Sequence, residues 1–391
     1  MEKQSLILLL ASVLQEKELK LDNIDLPLCF RQATAHGVAN MLYFSLKNLP
    51  ENLQPAPEAQ KMLKELAYGG ITRDAIQDRE MEALQEQFES RKLSMLPVKG
   101  YVLKQLYPAS GMRFMSDTDI IIKEDQALQI KEVFESLGFC PAGSDEKGIT
   151  DFYISPAGMQ YEVHKRMGPE GTRPAEQAFL ENILLCGVPE KGHNFILRLP
   201  AEEHYIYLLC HFIKHFLGKG IGVRQVMDIY LCRKKWKFDE EKLGRLLDAM
   251  SLRNFAAHLE HLAFYWFENG EPDDMTAPMG EYIFNSGVFG KMENWVPNRM
   301  LRDRGKKRSY TMDRLFPPYS TMCHEYPSLK KVPILLPVCW CRRAFHAIFF
   351  KRKALKKELA AAKNTDQNML KQRALFYRDC GLDIFTNEQK G

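Results

Sequence analysis

The residues best placed for chemistry are two acids separated by one residue, Asp117 and Asp119, followed by three isoleucines. The β-branched run predicts a buried strand. Side chains alternate along a strand, so both acids project from one face about 7 Å apart. Carboxylates that close repel each other unless a cation lies between them, and Mg²⁺ prefers hard oxygen ligands. The spacing indicates a metal-binding pair, although two exposed acids at a strand edge give the same pattern.

A second strand is predicted over residues 159–164, Met-Gln-Tyr-Glu-Val-His. Alternation places Tyr161 and Val163 on one face, and Glu162 and His164 on the other. A third carboxylate beside the first two completes a two-metal site for phosphoryl chemistry. His164 could orient a carboxylate, contact an acceptor, or be an ordinary hydrogen-bonded histidine.

Basic and small residues surround the acid pair in the sequence. Lys99 and Gly100 follow the apolar run 93–98, at the predicted start of a helix, where free backbone N–H groups favour phosphate oxygens. Lys99 could supply charge to a triphosphate, or it could be a surface lysine that caps the strand. Arg113 could bind phosphate or pair with an Asp, and Ser116 could bind phosphate or cap a turn.

These motifs together resemble a known family. Lys-Gly, a helix with Leu-Tyr-Pro, Arg-x-Met-x-Asp-x-Asp before an aliphatic run, and an acid-x-His strand are similar to the uncharacterised nucleotidyltransferase family, within the DNA polymerase beta-like superfamily. The resemblance is tightest over residues 93–166. The third acid is usually Asp, whereas this chain has Glu162, and Lys-Gly replaces the superfamily's Gly-Ser.

The resemblance implies an Mg²⁺- or Mn²⁺-dependent nucleotidyltransferase with two sets of site residues. The catalytic and metal-binding residues would be Asp117, Asp119 and Glu162. The nucleotide-binding residues would be Lys99, Gly100, Arg113 and Ser116.

The resemblance extends more loosely to the helices downstream. It implies that His211, His215, Arg224 and Asp228 line the active cleft together with His164, whereas ion-pair or core roles are the alternatives. A zinc protease motif is excluded for His211, because the residue after it is Phe212 instead of Glu.

The pattern along the chain predicts an α+β fold, with a small mixed β-sheet surrounded by N- and C-terminal helices. The pattern predicts helices over residues 1–92, with breaks at Pro27, Pro50 and 55–57. We predict a catalytic core over 93–167, a helical domain flanking the cleft over 168–285, and a basic helical region over 286–391. Within the core, a crossover helix over 124–137 leads to a hairpin that turns at 156–158.

Charge is distributed unevenly along the chain. The net charge is +4, but residues 299–363 carry +13 and the remainder carries −9. This basic segment favours an anionic partner such as a nucleic acid, a polyphosphate or a membrane surface, although no recognised nucleic-acid module is present. Residues 338–350 could form an amphipathic helix on an anionic membrane, or a core helix with a solvated basic end.

Composition indicates a cytoplasmic protein, peripheral at the membrane if the basic segment binds lipid. The nine cysteines include no C-x-x-C pair, which favours reduced thiols. The apolar N-terminus lacks a signal peptide's basic start and cleavage site, and no run of about 18 apolar residues exists.

The sequence therefore predicts transfer of a nucleoside monophosphate from an NTP to an unidentified hydroxyl or phosphate acceptor, which could be a small molecule, a sugar or a protein. One alternative is a glycosyltransferase that uses the D-x-D pair to bind a nucleotide-sugar. The other is a non-catalytic nucleotide-binding or antitoxin-like module.

Overall fold

The computed structural model describes residues 2–19, 23–145, 147–167, 173–302, 312, 315–350 and 352–382. The chain folds into two compact units. One comprises residues 1–214 and 221–289, and the other comprises residues 215–220 and 290–391. The finer division at residues 92, 167 and 285 stays a prediction.

The first unit, hereafter the sheet unit, contains a five-stranded mixed sheet with the order β1-β2-β5-β4-β3. Strands β2 and β5 pair in parallel, and the other neighbours are antiparallel. The predicted α+β class with a small mixed sheet is confirmed. The strands are β1 (Met95–Val98), β2 (Asp117–Ile122), β3 (Cys140–Ser144), β4 (Thr150–Ile154) and β5 (Gln160–His164), and a separate pair is formed by β6 (Val188–Pro189) and β7 (Leu197–Arg198).

Helices surround the sheet. They are α1 (Glu2–Gln15), α2 (Leu26–Ala35), α3 (Leu42–Ser45), α4 (Pro57–Ser90), α5 (Gly100–Leu103), α6 (Ala127–Ser136), α7 (Pro174–Glu181), α8 (Ala201–Phe216, ending in the second unit), α9 (Val223–Lys235), α10 (Glu240–Ala249), α11 (Arg253–Glu268) and α12 (Thr276–Ser286). Short 3₁₀ helices cover Ala39–Met41, Leu46–Asn48, Glu51–Leu53, Lys104–Leu106, Glu124–Gln126 and Ile183–Cys186.

The two faces of the sheet have different characters. Ile120, Tyr161 and Val163 are buried in a core that includes Phe88 of α4 and Phe134 of α6. Because side chains alternate along a strand, the acids of β2 and β5 project from the opposite face. Packing of the apolar face therefore fixes the direction in which the acids point.

Two local predictions differ from the structure in detail. Pro27 was expected to break a helix, but it lies in the first turn of α2, after Asp25 has capped the helix by accepting from the Leu28 N–H at 2.9 Å. Proline is tolerated there because the first-turn N–H groups have no partner within the helix. The crossover helix begins as the 3₁₀ turn Glu124–Gln126, and the hairpin turn includes Gly158 at φ 79°.

The second unit is helical in its described residues. It contains α13 (Met292–Arg302), α14 (Tyr319–Glu325), α15 (Leu336–Phe350), α16 (Arg352–Asn364) and α17 (Gln367–Asp379), with 3₁₀ turns at Pro327–Lys330 and Pro333–Leu335. Tyr377 is buried and donates to Asn298 Oδ1 at 2.8 Å. Of the basic segment 299–363, residues 303–311, 313, 314 and 351 lie outside the described residues.

Helix α15 is not the core helix that was one of the two interpretations of residues 338–350. Its Val338, Phe345 and Phe349 side chains are exposed, so an apolar face points outward. Across the described ranges, no helix combines the length and the apolar character needed to cross a bilayer. The nine cysteines are free thiols.

Candidate active site

A group of two acids and a histidine lies where β2 and β5 run side by side. The parallel register places Asp119 opposite Glu162, and the antiparallel register places Val98 of β1 opposite Asp119. In the described part of the chain, one group of at least three metal-capable side chains has ligand atoms within 4.8 Å of one another, namely Asp119, Glu162 and His164. Adjacent strands lie about 4.8 Å from each other. The pairing of β2 with β5 therefore brings Asp119 and His164, which are 45 positions apart in the sequence, into one group.

Lys99 reaches this group from a strained turn at the end of β1. Its backbone has φ 53° and ψ −123°, a combination that residues with a side chain rarely adopt. Its Nζ lies 2.6 Å from Asp119 Oδ1. Backbone strain of this kind costs about 1–3 kcal/mol and is retained where a site needs the geometry. The turn therefore directs an ammonium group at the most buried acid.

His164 is held between its neighbours by both ring nitrogens. Its Nε2 lies 2.9 Å from Asp119 Oδ1 and 3.9 Å from Glu162 Oε2. Its Nδ1 lies 3.0 Å from Thr150 Oγ1 on β4. If the Thr150 hydroxyl donates to Nδ1, the Nε2–H donates to Asp119, and the imidazole fixes the orientation of that carboxylate. In the other tautomer Nδ1–H donates to Thr150, and the unprotonated Nε2 would be available to a metal.

The group has an excess of negative charge. Burial alone would raise the pKa of Asp119, but Lys99 and His164 outweigh it and hold that pKa well below its usual range. Glu162 behaves in the opposite way, because burial and then the charges of Asp119 and Asp117 raise its pKa, against the smaller effects of Lys99 and His164. A further cation at this point would relieve the repulsion felt by Glu162.

Asp117 and Ser116 lie at the entrance to β2. Asp117 is half-buried and accepts a hydrogen bond of 3.0 Å from Ser116 Oγ. Asp117 does not belong to the group of three described above, so its role as a metal ligand stays a prediction, as does the contact of Ser116 with a nucleotide. The negative charge of Asp117 is nevertheless one of the causes that raise the pKa of Glu162, after burial and the charge of Asp119.

Arg113 forms a buried ion pair. Its Nε and one terminal nitrogen donate to the two oxygens of Asp228 on α9, both at 2.8 Å. The Tyr107 hydroxyl donates to Asp228 Oδ1 at 2.8 Å. Burial and then Asp228 raise the pKa of Tyr107 well above its usual value. Of the two roles considered for Arg113, pairing with an Asp is the one observed, and Tyr107 was given no role from the sequence.

Gly100 makes room for this ion pair. A Cβ atom at position 100 would lie 2.5 Å from a terminal nitrogen of Arg113 and 2.5 Å from Met115 Sδ. The Arg113 guanidinium is fixed by Asp228 and has little freedom to move away. The glycine is therefore required for packing beneath the guanidinium, and a contact between Gly100 and phosphate stays a prediction.

Two further arginines hold the backbone that leads into the acid pair. Arg224 on α9 donates to the Phe114 carbonyl at 2.8 Å. Arg73 on α4 donates to the Met115 carbonyl at 2.9 Å and to the Ser116 carbonyl at 3.2 Å. Burial and then the charge of Arg113 lower the pKa of Arg224. Arg73 carried no signal in the sequence, since a charged residue on the polar face of a helix is ordinary.

The beginning of the same loop is fixed by Asn40 and Asp74. Asn40 Nδ2 donates to the carbonyls of Gly111 and Met112 at 2.5 and 2.9 Å. Asp74 on α4 accepts from the Gly111 N–H at 3.1 Å and from Lys104 Nζ at 2.6 Å. The loop that presents Asp117 and Asp119 is therefore tied down at both ends.

The two histidines of α8 belong to different units of the chain. His211 lies in the sheet unit, and His215 belongs to the 215–220 segment of the second unit. Neither belongs to the metal-capable group of the described residues. Their predicted place in the cleft stays a prediction.

The donor set fits a divalent cation. Two carboxylates supply the hard oxygen ligands that Mg²⁺ and Mn²⁺ prefer, and an imidazole nitrogen is acceptable to Mn²⁺ and other transition metals. Burial and then the charges of Asp119 and Asp117 raise the pKa of Glu162, so negative charge contributes to the rise at the same place. The geometry defines a candidate metal centre.

The fold and this site define a class of protein, an α+β protein with a carboxylate centre suited to phosphoryl chemistry. A family model described as an uncharacterised nucleotidyltransferase matches residues 22–268. The chain belongs to that uncharacterised nucleotidyltransferase family. No curated protein and no solved structure matches the chain significantly.

Proposed function

We propose that this protein transfers a nucleoside monophosphate from an NTP to a hydroxyl or phosphate group of an acceptor. The acceptor oxygen bonds to the α-phosphorus as the bond to the oxygen bridging the β-phosphate breaks. Pyrophosphate leaves with the electron pair of that bond, and a hydroxyl acceptor gives up its proton to water. The observation that carries the proposal is the group of Asp119, Glu162 and His164 beside Asp117, in a member of a nucleotidyltransferase family.

The carboxylates are the residues that would hold a divalent cation, Mg²⁺ or Mn²⁺. Asp119 and Glu162 face each other across β2 and β5, and Asp117 is a further predicted ligand at the entrance. A bound cation lowers the pKa of an acceptor hydroxyl and neutralises charge on the triphosphate. His164 fixes the orientation of Asp119 through its 2.9 Å contact.

Lys99 is the side chain that we assign to the triphosphate. Its ammonium group is partly exposed and ends beside Asp119, on a flexible stem that can turn toward a phosphate oxygen. The Ser116 hydroxyl lies next to Asp117 and can donate to a second phosphate oxygen. Arg113, which pairs with Asp228, acts in this proposal by holding the loop and not by touching the nucleotide.

The experiment is transfer of label from each of the four α-³²P-labelled NTPs, with Mg²⁺ or Mn²⁺ and a cell extract as the source of acceptor. Wild type is compared with Asp119→Asn, which keeps the size of the side chain and removes its charge. We expect label on an acceptor with wild type, and at least about a thousandfold less with the variant, since loss of a catalytic metal ligand removes several kcal/mol of transition-state stabilisation.

The matched control is Asp125→Asn, the same substitution at an exposed acid three residues beyond the end of β2. It should transfer label at the wild-type rate. Equal turnover by wild type and Asp119→Asn would refute the proposal. Release of sugar from a nucleotide-sugar by wild type, without label transfer, would instead support the glycosyltransferase alternative.

A further inference from the structure

Helix α15 exposes large apolar side chains at helical spacing. Val338, Phe345 and Phe349 are 62%, 57% and 65% exposed, and Ile348 and Phe350 are 52% and 73% exposed. The Phe345 and Phe349 rings lie 4.2 Å apart between centroids. About half of the exposed large apolar side chains in the described residues fall between Met312 and Phe350.

Three of the exposed side chains share one face of the helix. With about 100° between successive residues, positions 338, 345 and 349 fall within about 40° of one another, whereas position 348 lies about 60° to one side and position 350 about 100° to the other. The flank and the far side of the helix hold it in place, because Cys339 on the flank is buried and the Trp340 indole on the far side donates to the Pro317 carbonyl at 3.0 Å. Because α15 packs through these other residues, its apolar face points outward.

Basic residues follow this face directly. Arg352, Lys353, Lys356 and Lys357 are all exposed on α16. They belong to the segment 299–363, which carries a net charge of +13. An apolar face followed directly along the chain by exposed cations matches a surface that offers hydrocarbon and anions together.

We propose that the apolar face of α15 and the four basic residues of α16 dock onto the surface of an anionic lipid bilayer. The 15 residues of α15 span about 22 Å, less than the roughly 30 Å of a bilayer core, so the helix lies in the plane of the interface. The phenyl rings enter the acyl boundary, and the Lys and Arg side chains contact lipid phosphates. A second copy of the chain is a poorer occupant, because it would bring like charges together.

The test is sedimentation of the full-length protein with two kinds of vesicle, one of phosphatidylcholine and one containing one third phosphatidylglycerol. We expect binding to the anionic vesicles only. Phe345→Ser combined with Phe349→Ser should weaken that binding more than about tenfold, because two large apolar contacts are lost. Changing Arg352, Lys353, Lys356 and Lys357 to Gln should weaken it more than about a hundredfold.

Each variant has a matched control in the sheet unit. Leu128→Ser with Leu185→Ser removes two apolar side chains that are 80% and 81% exposed. Four exposed lysines changed to Gln match the charge variant: Lys61, Lys123, Lys147 and Lys191. Both controls should bind anionic vesicles as wild type does, and all variants should keep the wild-type circular dichroism spectrum.

Three results would overturn the proposal. One is absence of wild-type binding to anionic vesicles, and another is unchanged binding by the phenylalanine variant, which would leave only charge attraction. The third is a dimer in gel filtration, or an RNA complex, that the phenylalanine variant abolishes while vesicle binding persists. None of these readouts depends on nucleotidyl transfer, so the two proposals fail separately.

Discussion

Two buried carboxylates of the sheet unit, Asp119 and Asp228, have opposite surroundings. Asp228 accepts two hydrogen bonds from the Arg113 guanidinium and one from the Tyr107 hydroxyl, and no strained residue takes part. Asp119 is contacted by Lys99 from a strained turn, and its neighbour Glu162 has a raised pKa. Both carboxylates have hydrogen-bonding partners, but Asp119 also belongs to a cluster with excess negative charge.

The difference in surroundings distinguishes a carboxylate with a structural role, Asp228, from one with a functional role, Asp119. A satisfied buried ion pair holds the segments that carry it in place, because removal of either partner leaves the other charge buried without compensation. A cluster of like charges with a strained backbone is unfavourable by itself, and such clusters persist where a ligand or a reaction uses them. We infer that the Asp228 network builds the loop on which the Asp119 site depends. The predictions below test that division.

The largest effect on stability is expected at Asp228. Asp228→Ala should lower the free energy of unfolding by about 3–5 kcal/mol, because Arg113 is left buried and unpaired. Asp119→Asn should lower it by less than Asp228→Ala does, because asparagine keeps the size of the side chain and its oxygen can still accept from Lys99 and His164, although the charge that pairs with Lys99 is lost. Urea denaturation of both variants measures the contrast, and equal losses would contradict the division.

A double variant sharpens this contrast. Arg113→Met combined with Asp228→Met removes both charges of the ion pair and leaves only the Tyr107 hydroxyl without its acceptor. It should recover about half of the stability lost in Asp228→Ala, since no charge remains stranded. A double variant less stable than Asp228→Ala would mean that shape, and not charge, makes the network necessary.

The second effect is stabilisation by metal. Mn²⁺ or Mg²⁺ at a hundredfold excess over its dissociation constant should stabilise wild type by about 2.7 kcal/mol. The gain should vanish in Asp119→Asn and persist in Asp125→Asn, because only the first lies in the candidate metal centre. Thermal unfolding with and without metal measures it, and a full gain in Asp119→Asn would exclude this site.

The third effect concerns the strain at Lys99. Lys99→Gly and Lys99→Ala both remove the ammonium group, but only alanine keeps a side chain at φ 53°. Lys99→Gly should therefore be more stable than Lys99→Ala by about 1–2 kcal/mol, the reverse of the usual order. Lys123, exposed at φ −74°, is the matched position, where the alanine variant should be the more stable. If the alanine variant were more stable than the glycine variant at both positions, the backbone at Lys99 would not be strained.

Local patterns were enough to predict the strands that carry the site. The isoleucines after Asp119 and the glycine-containing turn before Glu162 are signals within a few residues, and the structure has β2 and the hairpin there. The partner of Arg113 could not be chosen in the same way, because Asp228 lies 115 residues away. Selection among distant acids depends on packing, which no local pattern encodes.

Two other features left no reliable signal in the sequence. A lysine gives no indication of the positive φ at position 99, which is imposed by its neighbours. The apolar stripe of α15 usually marks the buried side of a helix, so the sequence alone could not show that Phe345 and Phe349 face outward. In each case the side chain's environment is decided by tertiary packing.

The smallest effect extends the comparison to a third carboxylate, Asp273. It is satisfied like Asp228, since it contacts His258 Nδ1 at 2.6 Å and accepts from the Thr276 hydroxyl at 2.8 Å, but it is more exposed. Burial would raise its pKa, but His258 and Thr276 lower it to about 2. A depressed folded-state pKa stabilises the fold above the unfolded value of about 4, and this contribution is lost as the pH falls toward 2. The stability difference between wild type and Asp273→Asn should therefore shrink by about 1 kcal/mol between pH 5 and pH 2, as measured by urea denaturation. His258→Gln should weaken the same pH dependence, and a difference that stays constant over this range would show that Asp273 is not held by its partners.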